Sequence, residues 1–327
     1  MTTTVPAPVA RAHALAPNAY AAVMGTGIVS AAAAGLPVAH SLLTGLAEVV
    51  WVSAALLLVA VVVGSVGGGD WRAHPQMAHF LGARAMAPMS VAAATLLAGP
   101  GVVGDLPAYV ASLVLWVVGT ALGLATAVSR PVRAHRTGPA EAAWLMPVVP
   151  PMVSAAVGAL LAARSPEPLA TVLLAASWAC FALTLVLAAG PALAVVRRVA
   201  GGDVPVATPT LFIVLGPLGQ SATAALLLAP GHRWALAYAG VVLVAALLWA
   251  GVALTCVLRQ RPAFAMTWWA FTFPVGTVVT GLSGLAAATG SGAVALLAVL
   301  GWGALLTVWA VVAGRTLSTS LPLGGRR

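Results

Sequence analysis

Apolar runs of about 20 residues, the length that crosses a hydrocarbon core, follow one another along the whole chain and are separated by short polar joints. Ten such runs are read, at 18–36, 42–64, 83–100, 107–129, 142–163, 168–196, 205–229, 234–258, 263–288 and 292–314. The predicted fold is an all-α integral membrane protein: a ten-helix body over 17–316, with a short tail at 1–16 and another at 317–327. No linker or second domain interrupts it.

The runs are of two kinds. The odd ones pair a helix breaker with small and hydroxyl residues: Gly25-Thr26-Gly27 with Ser30, Pro88 with Ser90, Pro150-Pro151 with Ser154, Pro217 with Gln220 and Ser221, and Pro274 with Thr277. They recur at the length of one helical hairpin with its loop. Even runs, such as 56–63 and 241–248, carry no central proline and read as lipid-facing helices. The pattern predicts an inner ring of five bent helices inside an outer ring of five straight ones. In the ninth run Pro274 is expected to bend the helix in its middle and free backbone carbonyls. In lipid, freed groups persist only against protein, water or a passing solute.

Composition sharpens the class. Hydrophobic residues make up 61% and charged ones 6%, against about a quarter charged in soluble domains. Every basic residue is an arginine, and the arginines alternate between joints. Arg11, Arg72, Arg84, Arg130, Arg133, Arg136, Arg197, Arg198, Arg259, Arg261, Arg315, Arg326 and Arg327 fall on one side, and Arg164 and Arg233 on the other. The positive-inside rule then places both termini in the cytoplasm of a multi-pass plasma-membrane protein. The formal charge of +9 follows from insertion, and no basic patch interleaved with aromatics points to nucleic acid. Residues 1–16 lack the pattern of a signal peptide, so the first spanning helix is expected to direct insertion.

Candidate chemistry is sparse. The centres of the odd runs hold no Asp, Glu, Lys or His, which argues against a proton relay or a carboxylate-lined cation path. An anion is the better passenger, because hydroxyls of Thr26, Ser30, Ser90, Ser154, Ser221, Thr272 and Thr277, the Gln220 amide and backbone N–H groups at broken helix ends offer positive dipole ends without a fixed charge. No zinc-protease, nucleophile-elbow or phosphate-loop motif is present, so neither an enzyme nor a cofactor is expected. His74 and His79 lie near Arg72 and Arg84 with Asp70 as the nearby acid, a solvated loop and not a metal site. Cys180 and Cys256 read as small buried residues. Glu48 leaves two readings, a structural acid that pairs with an arginine or reaches the interface, and a coupling or gating acid.

The stretches 18–30, His74-Pro75 with Phe80 ahead of Pro88-Met89, Leu145-Met146-Pro147-Val148-Val149-Pro150-Pro151, Gly216-Pro217-Leu218-Gly219-Gln220-Ser221 and Trp268-Trp269-Ala270-Phe271-Thr272-Phe273-Pro274 together resemble the tellurite-resistance/dicarboxylate transporter family. That family includes yeast malate permeases, fungal sulfite exporters, bacterial tellurite-resistance proteins and the slow anion channels of plant guard cells. The likeness covers nearly the whole chain in order, apart from the long cytoplasmic tails of the plant channels. It departs at the first helix, which uses glycines where the others use proline. It implies five helical hairpins in quasi-fivefold arrangement around a central pore, a homotrimer with one pore per subunit, and a phenylalanine of the ninth helix that occludes the pore. Phe273 matches that position, with Phe271 in reserve. The implied passenger is a C4-dicarboxylate or sulfite, the branches that the Gly-Pro-Leu-Gly-Gln-Ser and Phe-Pro-Val-Gly segments look closest to. The other implied role is tellurite or toxic-anion resistance with little transport.

Overall fold

The computed structural model describes residues 15–38, 41–66, 77–129 and 138–320. Among them ten helices longer than a few turns form: α1 Tyr20–Ala34, α2 Ser41–Gly64, α3 Leu81–Ala98, α4 Asp105–Ser129, α5 Pro150–Ala162, α6 Leu169–Ala200, α7 Leu215–Leu228, α8 Arg233–Gln260, α9 Phe273–Thr289 and α10 Gly292–Ser320. No strand occurs among the described residues.

The odd helices are short, 13 to 18 residues, and the even ones long, 24 to 32. Burial divides them the same way. All of α1 except its last residue is buried, as befits a helix of alanine, glycine and valine with no polar face. In α2, by contrast, Ala47, Val50, Trp51, Ala54, Leu58 and Val61 form a buried stripe at helical spacing, while Leu56, Val59 and Val63 are exposed for lipid.

Packing follows from this division. The short helices touch in a closed circuit, α1 on α3, α3 on α5, α5 on α7, α7 on α9 and α9 on α1. Each long helix packs on the short one before it in sequence and on the short one after it, α10 returning to α1. Indoles tie the two sets together. Trp51 of α2 donates to Thr95 Oγ1 of α3 (2.8 Å), Trp116 of α4 to the Ser154 carbonyl of α5 (2.9 Å), Trp249 of α8 to the Leu211 carbonyl ahead of α7 (2.9 Å), and Trp302 of α10 to the Val29 carbonyl of α1 (3.2 Å).

The prolines act differently from the expectation. Pro274 is the second residue of α9 and does not bend it in mid-course; the chain breaks just before, at Thr272 (φ −97°, ψ −77°), after a 3₁₀ stretch Met266–Phe271. The missing N–H of proline costs nothing in the first turn, where that group has no intrahelical acceptor. Pro150 and Pro151 open α5 in the same way, and 3₁₀ stretches Pro17–Ala19, Ala142–Leu145 and Thr208–Val214 lead toward α1, α5 and α7. Pro217 is the third residue of α7, and Pro88 alone among these lies inside its helix. An even helix is not free of proline either, since α6 carries Pro191 within it.

These entries shorten the odd helices, and eight stretches, not ten, are long and apolar enough to cross a membrane by themselves among the described residues. They include 208–228 and 266–289, where 3₁₀ and α segments join, while α1 and α5 fall short at 15 and 13 residues. Helix α10 continues to Ser320, past the expected body. Asp70, Arg72, His74, Arg130, Arg133, Arg136 and both chain ends lie outside the described residues.

Candidate functional site

Cavities lie at both ends of the circuit of short helices. At their N-terminal end is a cavity of about 780 Å³, whose lining includes Asn18, Glu141, Arg198, Thr210, Arg261 and Thr267. Next to it a void of about 20 Å³ is bounded by Met24 of α1, by Phe80, Met146 and Ile213 just ahead of α3, α5 and α7, and by Ala270 and Pro274 at the start of α9. That is room for about one water molecule. Phe80, Thr210, Met266 and Thr267 line both spaces. At the opposite end a vestibule of about 540 Å³ is walled by residues of all five short helices from near mid-helix onward, among them Ile28, Ala93, Ala156, Gln220 and Thr280. The five short helices therefore point the same way, and the two spaces share their axis.

Phe273 is the first residue of α9. It is 2% exposed, belongs to the main apolar core and lines neither the vestibule nor the other two spaces. Its neighbour Pro274 bounds the small void, and Thr280, two turns later, lines the vestibule. Ile28 of α1 packs against α9, its side chain lying where a Cβ on Gly276 would stand. Phe271 is placed differently: it is half-buried in an aromatic cluster, edge-on to Phe212 (4.9 Å) and to Trp268 (5.7 Å). Arg315 stacks over Trp268 and Phe264 in that cluster.

Most of the candidate hydroxyls face neighbouring helices. Thr26 bonds the Ala22 carbonyl and accepts from Trp309 of α10, Ser30 donates to the Ala47 carbonyl of α2, and Ser90 donates to the Met24 carbonyl of α1. Ser154 meets Thr120 of α4 and Met89 of α3, and Thr277 donates to the Pro274 and Leu215 carbonyls. Ser221 donates to the Leu218 carbonyl on the side of Tyr238, and Thr272 to the Trp269 carbonyl. Gly25 and Gly27 are points of close approach: a Cβ on Gly25 would strike Thr272 Oγ1, and one on Gly27 would stand 2.7 Å from Ser90 Oγ. Pro88, Pro150 and Pro151 are buried at the helix contacts, and Pro217 is half-buried.

Of the candidates, Gln220 alone lines the vestibule, together with Thr223, Thr280 and Ser283. Thr280 and Ser283 belong to the small and hydroxyl residues that follow Pro274 and suit a narrow passage, whereas Thr223 and Ile28 are not among the site residues expected from the sequence. Spacing carried a signal for the three hydroxyls, because 220 and 223 on α7, and 280 and 283 on α9, are successive positions of one helical face. Gln220 and Ser283 are 5% and 4% exposed, and Gln220 Oε1 and Ser283 Oγ have no hydrogen-bond partner among the described residues.

Charge sits at the mouths. Arg164, past the end of α5, donates to the Leu96 carbonyl at the end of α3, and Arg233 follows the lining residues Pro230 and Gly231. At the other mouth Arg198 grips Asp203 through two hydrogen bonds (2.8 and 3.1 Å) and the Ala140 carbonyl through a third. The Arg198 hydrogen bond holds the Asp203 carboxyl below the usual aspartate range. Glu48 is half-buried beside Gly101 in a separate groove of about 600 Å³, and no ion pair to it occurs among the described residues. Cys180 and Cys256 are free thiols. No group of three or more His, Cys, Asp or Glu forms among the described residues.

A family model described as SLAC1, voltage-dependent anion channel, matches residues 14–317. No curated protein matches the chain.

Proposed function

Because the chain belongs to the SLAC1 family of voltage-dependent anion channels, a multi-pass membrane family of anion channels and transporters and not of enzymes, we propose that it carries small anions along the axis of its five short helices. The observation that carries this reading is the pair of spaces at opposite ends of one circuit of short helices. Ten spans in five hairpins with quasi-fivefold order account for the closed circuit of contacts, with α1 and α5 crossing together with their non-helical entries. Phe273 is the ring that closes the passage, while Phe271 serves packing. A vestibule without fixed charge suits an anion drawn in by dipoles and rim arginines, since no carboxylate lines it.

The arginine alternation supports cytoplasmic termini in a plasma-membrane protein, with the vestibule of Gln220 facing outward. The resemblance supports a trimer with one passage per subunit, and malate-like dicarboxylates or sulfite as passengers. The test is flux in proteoliposomes of the purified full chain. Uptake of chloride, sulfite or malate above protein-free vesicles, with no matching potassium uptake, is the expected result. No anion flux under any gradient would leave the resistance role and end the transport reading.

A further inference from the structure

The groove that holds Glu48 is a space of its own. It is lined by the C-terminal ends of α1 and α3, through Ala33, Ala34, Leu97 and Ala98, by the first turns of α2 and by Gly101. Leu97 borders the vestibule as well. Next to these lining residues in sequence, Leu42 and Val49 of α2 and Val102, Val103 and Leu106 between α3 and α4 are large exposed apolar side chains. Such a surface is the kind that a bilayer covers.

The groove has one electrical sign. Glu48 is the only charged residue among its described lining residues, and neither an ion pair nor a hydrogen bond to its carboxylate occurs among the described residues. The residue lies about 10 Å along α2 from Ser41, at about 1.5 Å per residue, and an acid that far into an apolar helix calls for a partner. Helices α1 and α3 both end at the groove, and the C-terminal end of a helix is its negative pole. The end of α3 already holds one cation: Pro100 has no N–H to offer the Leu96 carbonyl, and Arg164, outside the groove, donates to it. An occupant with a positive head is therefore favoured. Leu36, Val38, Leu43 and Leu97 favour hydrocarbon behind that head, and a volume of about 600 Å³ is enough for a small organic group.

We propose that this groove binds a phospholipid with a primary ammonium head, such as phosphatidylethanolamine. The ammonium donates to the Glu48 carboxylate, and the upper chain carbons lie against Leu43 and Leu97. A primary ammonium has three hydrogens to donate and a choline head has none, so the carboxylate distinguishes the two lipids. Gly101 fixes the position of that carboxylate, since a Cβ there would strike Glu48 Oε1. The proposal goes beyond the transport reading and does not depend on it.

The purified full chain is exchanged into mixed micelles holding equal amounts of phosphatidylethanolamine and phosphatidylcholine with the same chains, and the lipid it retains is identified by native mass spectrometry. Wild type should keep the ethanolamine lipid over the choline lipid by about tenfold, the scale of one hydrogen bond between charged groups. Glu48→Gln, which keeps the shape and removes the charge, should bring the two lipids close to parity. Gly101→Ala, which keeps the charge and displaces it, should lower the preference in the same direction and serves if the first variant does not fold. Equal retention of the two lipids by wild type, or an unchanged preference in the variant that folds, would overturn the site. Displacement of the retained lipid by free ethanolamine at the lipid's own concentration would make the occupant a small amine and would overturn it too. An oligomer that dissociates in Glu48→Gln, with no lipid preference in wild type, would give the groove to a second copy of the chain instead.

Discussion

Gly219→Ala tests the seam between α7 and α9, the helices that bring Gln220, Thr223, Thr280 and Ser283 to the vestibule. A Cβ at this position would stand 2.5 Å from the Thr277 carbonyl carbon and the Val278 nitrogen, and 2.6 Å from Thr277 Oγ1. Backbone atoms cannot rotate away, and ordinary contact needs about 3.5–4.0 Å, so α7 and α9 must part by about 1 Å. Separation would strain the Thr277 bond to the Leu215 carbonyl (3.2 Å) and the Thr223–Thr280 pair (3.0 Å). Overpacking of this kind costs about 1–3 kcal/mol. Alanine in place of helical glycine returns about 0.5–1 kcal/mol through the backbone. Gly251→Ala on α8 isolates that second effect, since nothing lies within 4 Å of a Cβ there. Equilibrium unfolding of both variants in mixed detergent should therefore place Gly219→Ala below Gly251→Ala by about 1–3 kcal/mol. Equal stability of the two would refute the close packing of α7 on α9.

Three further outcomes are expected. Trp116→Phe removes the indole bond to the buried Ser154 carbonyl and should cost about 1 kcal/mol in the same unfolding assay; no measurable loss would deny the indole ties a stabilising role. Reporters fused after Arg136 and after Arg233 should read cytoplasmic and external respectively, as the arginine alternation requires; the same side for both contradicts the topology. Because Asp203 has a lowered carboxyl pKa in the folded chain, its tie to Arg198 contributes above the ordinary aspartate range and is lost as pH falls through the lowered native value. Protease cutting of the loop at 201–207 should thus rise only in that acid window, while Asp203→Asn is cut readily at neutral pH; a pH-independent wild type refutes the tie.

Much of the architecture was legible because its signals are one-dimensional. Breakers and small residues in the odd runs, against plain aliphatic runs in the even ones, distinguished buried short helices from half-exposed long ones. Helix limits were less legible. The 3₁₀ stretch Met266–Phe271 is as apolar as the helix it precedes, so the run looked continuous and Pro274 looked central. The hydroxyls were misleading for a different reason: a serine on an all-buried helix has no exposed side to measure against, and its direction depends on neighbours that sequence does not position. Ser30 toward α2 and Thr26 toward α10 are such cases. Thr280 and Ser283 were legible among the hydroxyls after Pro274, while Thr223 becomes apparent only with α7 and α9 side by side.

The central claim is that the spaces at the two ends of the short helices form one path closed at Phe273. Anion efflux from proteoliposomes containing equal amounts of folded wild type, Phe273→Ala and Phe271→Ala tests it most directly. Truncating a packed core phenylalanine costs about 3–5 kcal/mol, and a ring that plugs a passage between two spaces should cost less. The account predicts that efflux rises severalfold or more for Phe273→Ala, with folding yield largely kept, and stays near wild type for Phe271→Ala. Unchanged efflux with a sharply reduced yield for Phe273→Ala would assign that ring to packing and contradict the path.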